Sequence, residues 1–552
     1  MNKSNLSVDI KTILQKYLKF FVAASGCIAL VIVLFYIIFV SKGFYHSDCT
    51  DTILWAQAML DGGTIINPEF NYAAILPFGG QIIMLPFVAI FGYGMKAQIM
   101  GMVLFALLFT AALVYFLKSI NMSWRWVSVA VAAVLLFTCS SEKLREIFWC
   151  HIIYYSLGVL FLLVGLGLVL NMLKQDKISL KYHVFLFLWT TLCSINGSQS
   201  LTLYTAPVIG AIIAERFFDT DTPFWSRKNA KHGIVILNMV VAVIVGLTIA
   251  KIITGSVTAE YQTKYSGFDE PEKWVSNLMN FIPAILSLCG IEISDEPIFS
   301  VEGLKILVRI VGMLIVIITP YVMMCKYKKF KEREYRLMII VHAVLSGLLL
   351  VGWVFGKLND ANWRLTPIVV TSVILCVMMI CKLYKQGQNF RFAMLIIIPM
   401  TVLMGMYVSE IHLANCRKQS FQNERLESIA EYLKKEGLEY GYASFWNSNI
   451  ITLMTDTEVF VAPIVQGEGN LIAGDYQSDE NWYDTDEYEE YFVLLTKSEF
   501  DAYEMCEHYI MPDRILNYEK HYILVYDYNV IAKLYEIYEE ENEKKYSTEI
   551  GD

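Results

Sequence analysis

Uncharged apolar stretches of about twenty residues recur along this chain, the first from Phe20 to Val40. Each is long enough to cross a hydrocarbon core of about 30 Å as a helix. The apolar runs and the charges between them place eleven spans, at 20–41, 97–117, 124–140, 151–173, 182–195, 199–215, 232–253, 303–325, 337–356, 365–384 and 392–409. Lys11, Lys16 and Lys19 precede the first span as they would a secretion signal. Its 21 uncharged residues exceed the apolar region of such a signal, however, and no small-x-small cleavage site follows, so it reads as a retained anchor. Of 552 residues, 56% are hydrophobic and 18% charged, which a soluble globule has no place to bury.

Charge sets the threading. Lys118 and Arg125, Lys174 to Lys181, Arg216 to Lys231, Lys326 to Arg336 and Lys382 to Arg391 put every second connection on the basic side. The positive-inside rule then makes the N-terminus cytoplasmic and leaves two long loops, 42–96 and 254–302, outside a plasma membrane. The net charge of -9 conceals two bodies. Residues 410–552 hold 31 Asp+Glu against 11 Lys+Arg, while residues 1–409 balance at +11. The expected fold is therefore an all-α polytopic membrane bundle of about eleven transmembrane helices, residues 1–409, with a small extracytoplasmic α/β domain, residues 410–552. In that domain the pattern predicts helices at 423–435 and 497–508 and strands at 440–445, 458–462, 491–496 and 521–526, arranged as a small parallel sheet. No phosphate-binding glycine motif accompanies the sheet, and its negative charge excludes nucleic acid. Eleven Cys lie mostly inside apolar runs, with no C-x-x-C and no His at ligand spacing, so neither a metal site, a disulfide framework nor a cofactor is expected.

The first outer loop carries the chemistry. His46-Ser47-Asp48-Cys49-Thr50-Asp51 is followed by a short helical pattern to Leu60, closed by Asp61-Gly62-Gly63. Asp48 and Asp51 at that N-terminus are read either as a cap and dipole partner or as working carboxylates. A second apolar run ending at Phe91-Gly92 contains Pro86 and follows Pro77, which suits a surface helix better than a span. The loop is thus expected to form two juxtamembrane helices.

An Asp directly after the first span, an apolar pattern ending in Met59-Leu60 and a Pro-led helix ending in Phe91-Gly92 before span two resemble the GT-C superfamily. These are integral-membrane glycosyltransferases fed by polyprenyl-phosphate sugars, and the nearest likeness is to protein O-mannosyltransferases and lipid A aminoarabinose transferases. Three positions depart from the family pattern: Cys49 stands where Glu is usual, Ala74-Ile75-Leu76-Pro77 replaces His-Pro-Pro, and the start of span four reads His151-Ile152-Ile153, without an acidic residue. The resemblance implies metal-independent, inverting transfer from a lipid-phosphate donor to a glycan, lipid or protein acceptor.

Such transfer needs a base for the acceptor hydroxyl and a donor of positive charge or hydrogen bonds for the departing phosphate. Asp48 is the candidate base and Asp51 its orienting partner. Arg145, Arg364, Lys143 and His151 are candidates for the phosphate, against the plainer use of a boundary cation to snorkel to lipid headgroups. Glu69 and Asn71 in the first loop, with Tyr261 and Lys264 in the second, are candidates for donor or acceptor contact, and the stretch 274–288 for a membrane-surface helix. Two other classes stay open. A transporter or flippase of a lipid-linked glycan predicts charges at mid-membrane, of which Arg309 is the clearest, and a non-catalytic membrane protein would use the outer domain to bind a partner.

Overall fold

The computed structural model describes residues 3–175, 179–218, 230–255, 257–291, 295, 297–385, 424–467 and 470–549. Eight helices among these are long and apolar enough to cross a membrane: Lys19–Phe44, Met95–Ser119, Tyr154–Lys174, Ser198–Phe218, Ala230–Thr254, Val301–Cys325, Arg333–Val354 and Asn362–Lys385. A ninth is counted if Trp124–Phe137 and Glu142–Cys150, bent by 114° at a short break, form one span. Ten of the eleven expected spans thus coincide with helices, and the eleventh, 392–409, lies outside the described residues. The fifth, Leu180–Ser194, is shorter than expected of a span: its 15 residues reach about 22 Å at 1.5 Å per residue.

Burial sorts these helices into a centre and a rim. Asn362–Lys385 is buried throughout its apolar window and Tyr154–Lys174 over 89% of it, whereas Ala230–Thr254 and Lys19–Phe44 bury only 22% and 28% and present Leu, Ile, Val and Phe outward. Close approach at the centre needs small residues. A Cβ on Gly165 would stand 2.0 Å from Cε2 of Tyr204, a fully buried ring whose hydroxyl lies 2.9 Å from Thr190 Oγ1. Gly165→Ala is therefore expected to destabilise the bundle by about 1–3 kcal/mol, as overpacking does, read as a lowered melting temperature in detergent.

The loop after the first span forms two short helices as expected, Asp51–Gly62 and Gln81–Phe91 with Pro86 inside it. Gly63 ends the first of them in the left-handed region, φ +61°, where a glycine is at ease. The stretch Trp274–Leu288 is one helix, as anticipated, with Pro283 inside it.

Eight strands are present among the described residues, and their sheet differs from expectation. They are β1 Phe70–Asn71, β2 Tyr440–Ser444, β3 Phe460–Gly467, β4 Asn470–Ala473, β5 Ser478–Asp479, β6 Tyr491–Thr496, β7 Arg514–Tyr518 and β8 His521–Tyr526. Six form one sheet in the order β4-β3-β2-β6-β8-β7. It is mixed, not parallel: only β3-β2-β6 run parallel, while β4, β8 and β7 join antiparallel. The edge strands escaped notice because β4 is four residues long and β7 alternates half-buried and exposed positions with none fully buried.

The domain is bolted to the bundle by β1, which pairs antiparallel with β5 across about four hundred residues of sequence. Met95 N, at the start of a spanning helix, donates to Asp456 Oδ1 at 2.9 Å. At the opposite end of the bundle Lys174 pairs with Glu334 at 3.4 Å and Lys382 with Glu332 at 2.5 Å.

Candidate active site

At the domain end of the bundle, a cavity of about 450 Å³ opens between the two juxtamembrane turns, the loop at 262–267 and the turn at 356–364. Asp48, Asp51, Glu146, His151 and Arg364 all line it. These groups come from three segments separated by up to about three hundred residues.

Local structure explains how each is held. Asp48 lies in the tight turn Ser47–Thr50, which Thr50 Oγ1 closes onto the Ser47 carbonyl at 2.6 Å and which Ser47 Oγ ties to the Phe445 carbonyl of the C-terminal domain at 2.6 Å. The helix Asp51–Gly62 starts without a side-chain cap, so neither carboxylate is used in that role. Gln98, buried in the helix Met95–Ser119, donates to the carbonyls of Cys49 at 3.1 Å and Cys150 at 2.7 Å. One side chain therefore fixes the Asp48 turn against the His151 turn.

A chain of titratable groups runs along this wall. His46 Nδ1 lies 4.0 Å from Asp48 Oδ2, and His46 Nε2 lies 3.4 Å from Glu146 Oε2. Glu146 Oε1 is 3.8 Å from His151 Nε2, and its other oxygen accepts from Lys143 Nζ at 2.6 Å. Burial raises the Asp48 carboxyl above its usual range; His46 and Lys143 pull it down and Glu146 pushes it up, but burial prevails. The Asp51 carboxyl, 8% exposed, is held well above that range by burial and then by the charge of Asp48, against a side-chain amide from Gln477. Burial likewise pulls the His151 imidazole, 3% exposed, down to about 4, with Glu146 opposing. At neutral pH it is an uncharged donor.

Of the cations proposed from sequence, Arg364 and His151 face the cavity and Arg145 and Lys143 do not. Arg364 is 7% exposed, donates through Nη1 to the Lys357 carbonyl, and stacks over the Tyr265 ring at 5.0 Å. Its Nε has no hydrogen-bond partner in the structure. Arg145 turns the other way, donating to the Cys139 carbonyl at 3.0 Å beneath Tyr36 and Phe44. Lys143 reaches Glu146 and lies 4.6 Å over Trp363.

The loop candidates also separate. Glu69 and Asn71 sit at the seam with the C-terminal domain: Glu69 Oε2 accepts from Asn481 at 2.8 Å and the Asn71 carbonyl accepts from Gln477 N at 2.8 Å. Tyr261 and Lys264 belong to the short helix Glu260–Lys264, whose Gln262 lines the cavity and accepts from Ile75 N at 3.1 Å. Lys264 lies outside the cavity lining, and its carbonyl accepts at 3.3 Å from Lys357, which lines it.

Sequence reading assigned no role in transfer to His46, Glu146 or Gln477; Tyr476, one of the aromatic residues of 475–491 whose composition could stack on sugars or form a solvated acidic loop, lines the cavity. For His46 and Glu146 a signal existed, since an acidic residue five positions before His151 and a His two before Asp48 flank the candidate motif. For Gln477 none did. Among the described residues no group of three His, Cys, Asp or Glu is placed to hold a metal ion.

No family model matches the sequence, and no curated protein matches it. Solved structures do. ArnT from Cupriavidus metallidurans, solved bound to undecaprenyl phosphate, superposes with a TM-score of 0.53 at 11% identity, over 91% of this chain and 98% of that one. The Archaeoglobus fulgidus oligosaccharyltransferase, solved with Zn and sulfate, has a TM-score of 0.44 at 12% identity, over 79% of this chain and 62% of its own. End-to-end coverage with ArnT, the apolar helices and the β-containing C-terminal domain together make this chain a multi-pass membrane protein with the ArnT-like GT-C fold.

Proposed function

We propose that the chain is a membrane glycosyltransferase that moves a sugar from a polyprenyl-phosphate carrier to an acceptor hydroxyl at the outer face of a plasma membrane. The observation that carries this reading is the cavity itself, where two buried or half-buried carboxylates share a wall system with a buried guanidinium and a neutral imidazole. Fold likeness to a protein solved with undecaprenyl phosphate supports the choice of donor class.

Each group has a place in the chemistry. The Asp48 carboxylate takes the proton of the acceptor hydroxyl as its oxygen attacks the anomeric carbon. The bond from that carbon to the phosphate oxygen breaks on the opposite face, so the configuration inverts. The phosphate leaves with its added negative charge, which the Arg364 guanidinium and a hydrogen bond from His151 stabilise in a site largely withdrawn from water. Burial matters twice: it lifts Asp48 toward the acidity of a useful base, and it strengthens the attraction of Arg364 for the departing charge. No step calls on a metal.

Purified chain in proteoliposomes, supplied with an undecaprenyl-phosphate sugar and a membrane extract from a strain lacking the chain, is expected to transfer sugar to one component, identified by comparison with the parent strain. EDTA is expected to leave the rate unchanged. Loss of activity with EDTA and recovery with Mn²⁺ or Mg²⁺ would contradict the metal-independent step, and absence of any transferred sugar would overturn the assignment as a whole.

A further inference from the structure

Gln477 stands out among the residues the chemistry above does not use. It is fully buried, with φ +54°, a left-handed conformation that a non-glycine residue adopts only when its surroundings impose it. Both backbone polar groups of Gln477 are engaged: its N donates to the Asn71 carbonyl at 2.8 Å, and its carbonyl accepts from Asn449 Nδ2 at 2.9 Å. The turn leads directly into β5, which pairs with β1 of the first loop. A strained residue is thus clamped from both sides of the seam between domain and bundle.

Its side chain has a defined orientation. Trp55 Nε1 can only donate, and it lies 2.8 Å from Gln477 Oε1. The oxygen end of the amide is therefore committed to Trp55, and the Nε2 end is left to face the Asp51 carboxyl four residues back on the same helix. Gln477 Nε2 and Asp51 Oδ1 are both buried and neither closes a regular hydrogen bond. Two complementary orphans side by side at a cavity wall mark a contact that completes when the carboxylate is charged or a ligand adjusts it.

We infer that Gln477, delivered by the C-terminal domain, is a positioning residue for Asp51, anchored on Trp55 at one end of its amide and holding the carboxyl at the cavity wall with the other. The domain is then a working wall of the site and not an appendage. The kinetic part of this inference rests on the reading of the cavity as a transfer site; the placement of Asp51 does not.

The test uses the full chain and four proteins: wild type, Gln477→Met, Asp51→Asn and the double variant. Methionine keeps the length and loses both the donor toward Asp51 and the acceptor for Trp55, the second loss being common to both Asp51 backgrounds. Asp51 faces Asp48, Tyr93 and Tyr154 as well as Gln477, and these are the same in all four. Because the folded Asp51 holds its proton to higher pH than an unfolded one, stability falls as pH rises from the ordinary carboxylate range through the raised value. Removing the amide raises that value further. The melting deficit of Gln477→Met should therefore grow as pH rises above the ordinary carboxylate range, and become independent of pH in the Asp51→Asn background.

In the transfer assay, Gln477→Met should lower kcat by about 10-fold while KM moves less than about 3-fold, a part of the roughly 10²–10⁴-fold that a general base contributes. Gln477→Glu, which keeps the acceptor for Trp55 but sets a second carboxyl beside Asp51, should do more harm, with its deficit steepest at high pH. A deficit independent of pH while Asp51 is intact, or one whose pH dependence survives Asp51→Asn unaltered, would reduce Gln477 to a domain fastener and overturn the inference. Failure of wild type to transfer sugar would remove the functional reading while the melting comparison still decides the placement.

Discussion

Asp48→Asn is expected to lower sugar transfer by a factor of about 10² or more while leaving expression and melting temperature close to wild type. The substitution is nearly isosteric, and Asp48 is half-buried with no hydrogen bond that the turn depends on: Thr50 and Ser47 close that turn themselves. What is lost is the ability to accept a proton, and general-base catalysis contributes about 10²–10⁴-fold. Burial of Asp48 has a further consequence for pH. A base must be ionised to act, so the acid limb of kcat/KM for wild type should lie above the ordinary carboxylate pKa. His46→Gln, which removes a partner that favours the charged form, should move this limb to higher pH. Measurement of initial rates across pH with an undecaprenyl-phosphate sugar decides both points. An Asp48→Asn rate within threefold of wild type would eliminate Asp48 as the base and direct attention to Glu146.

Arg364→Gln is expected to cost about 10²–10³-fold in transfer, the range found on deleting a group aimed at developing negative charge. The guanidinium is buried at the cavity wall, held from below by the Lys357 carbonyl and flanked by the Tyr265 ring. These contacts leave Nε without a partner and fix the plane of the group, a preorganisation that lysine does not reproduce, so Arg364→Lys should recover little. Arg145→Gln provides the contrast. It removes a buried cation that supports Tyr36 and Phe44 and so should lower the melting temperature, yet binding of undecaprenyl phosphate should persist. Competition binding with that lipid separates the two: equal losses for Arg145→Gln and Arg364→Gln would show that neither is specific to the phosphate.

The pair illustrates how far local pattern reaches. Arg145 and Arg364 were equivalent on the sequence, each a cation beside a span. The direction in which its helix or turn aims each side chain sends one toward aromatic packing and the other toward the cavity, and that direction is set by neighbours distant in the chain. His151 and Glu146 show the same limit. The missing acidic residue at the start of span four looked like a gap, but the sharp bend after Phe137 brings Glu146 to His151 and His46 from the preceding turn.

Sequence alone determined the membrane character, the approximate position of ten helices, the two short helices after the first span, four of the strands and the acidic outlier of the C-terminal domain. Each of these follows from length, apolar periodicity and charge within one continuous stretch, because crossing hydrocarbon or burying a helix face is a demand that a segment meets with its own residues. Tertiary structure decided the mixed order of the sheet, the facing of Arg364 and not Arg145 into the cavity, the chain of charges from Asp48 to His151 and the arrival of Gln477 beside Asp51. Those depend on how separate segments pack, and a side chain four hundred residues away leaves no periodic mark near the residue it touches.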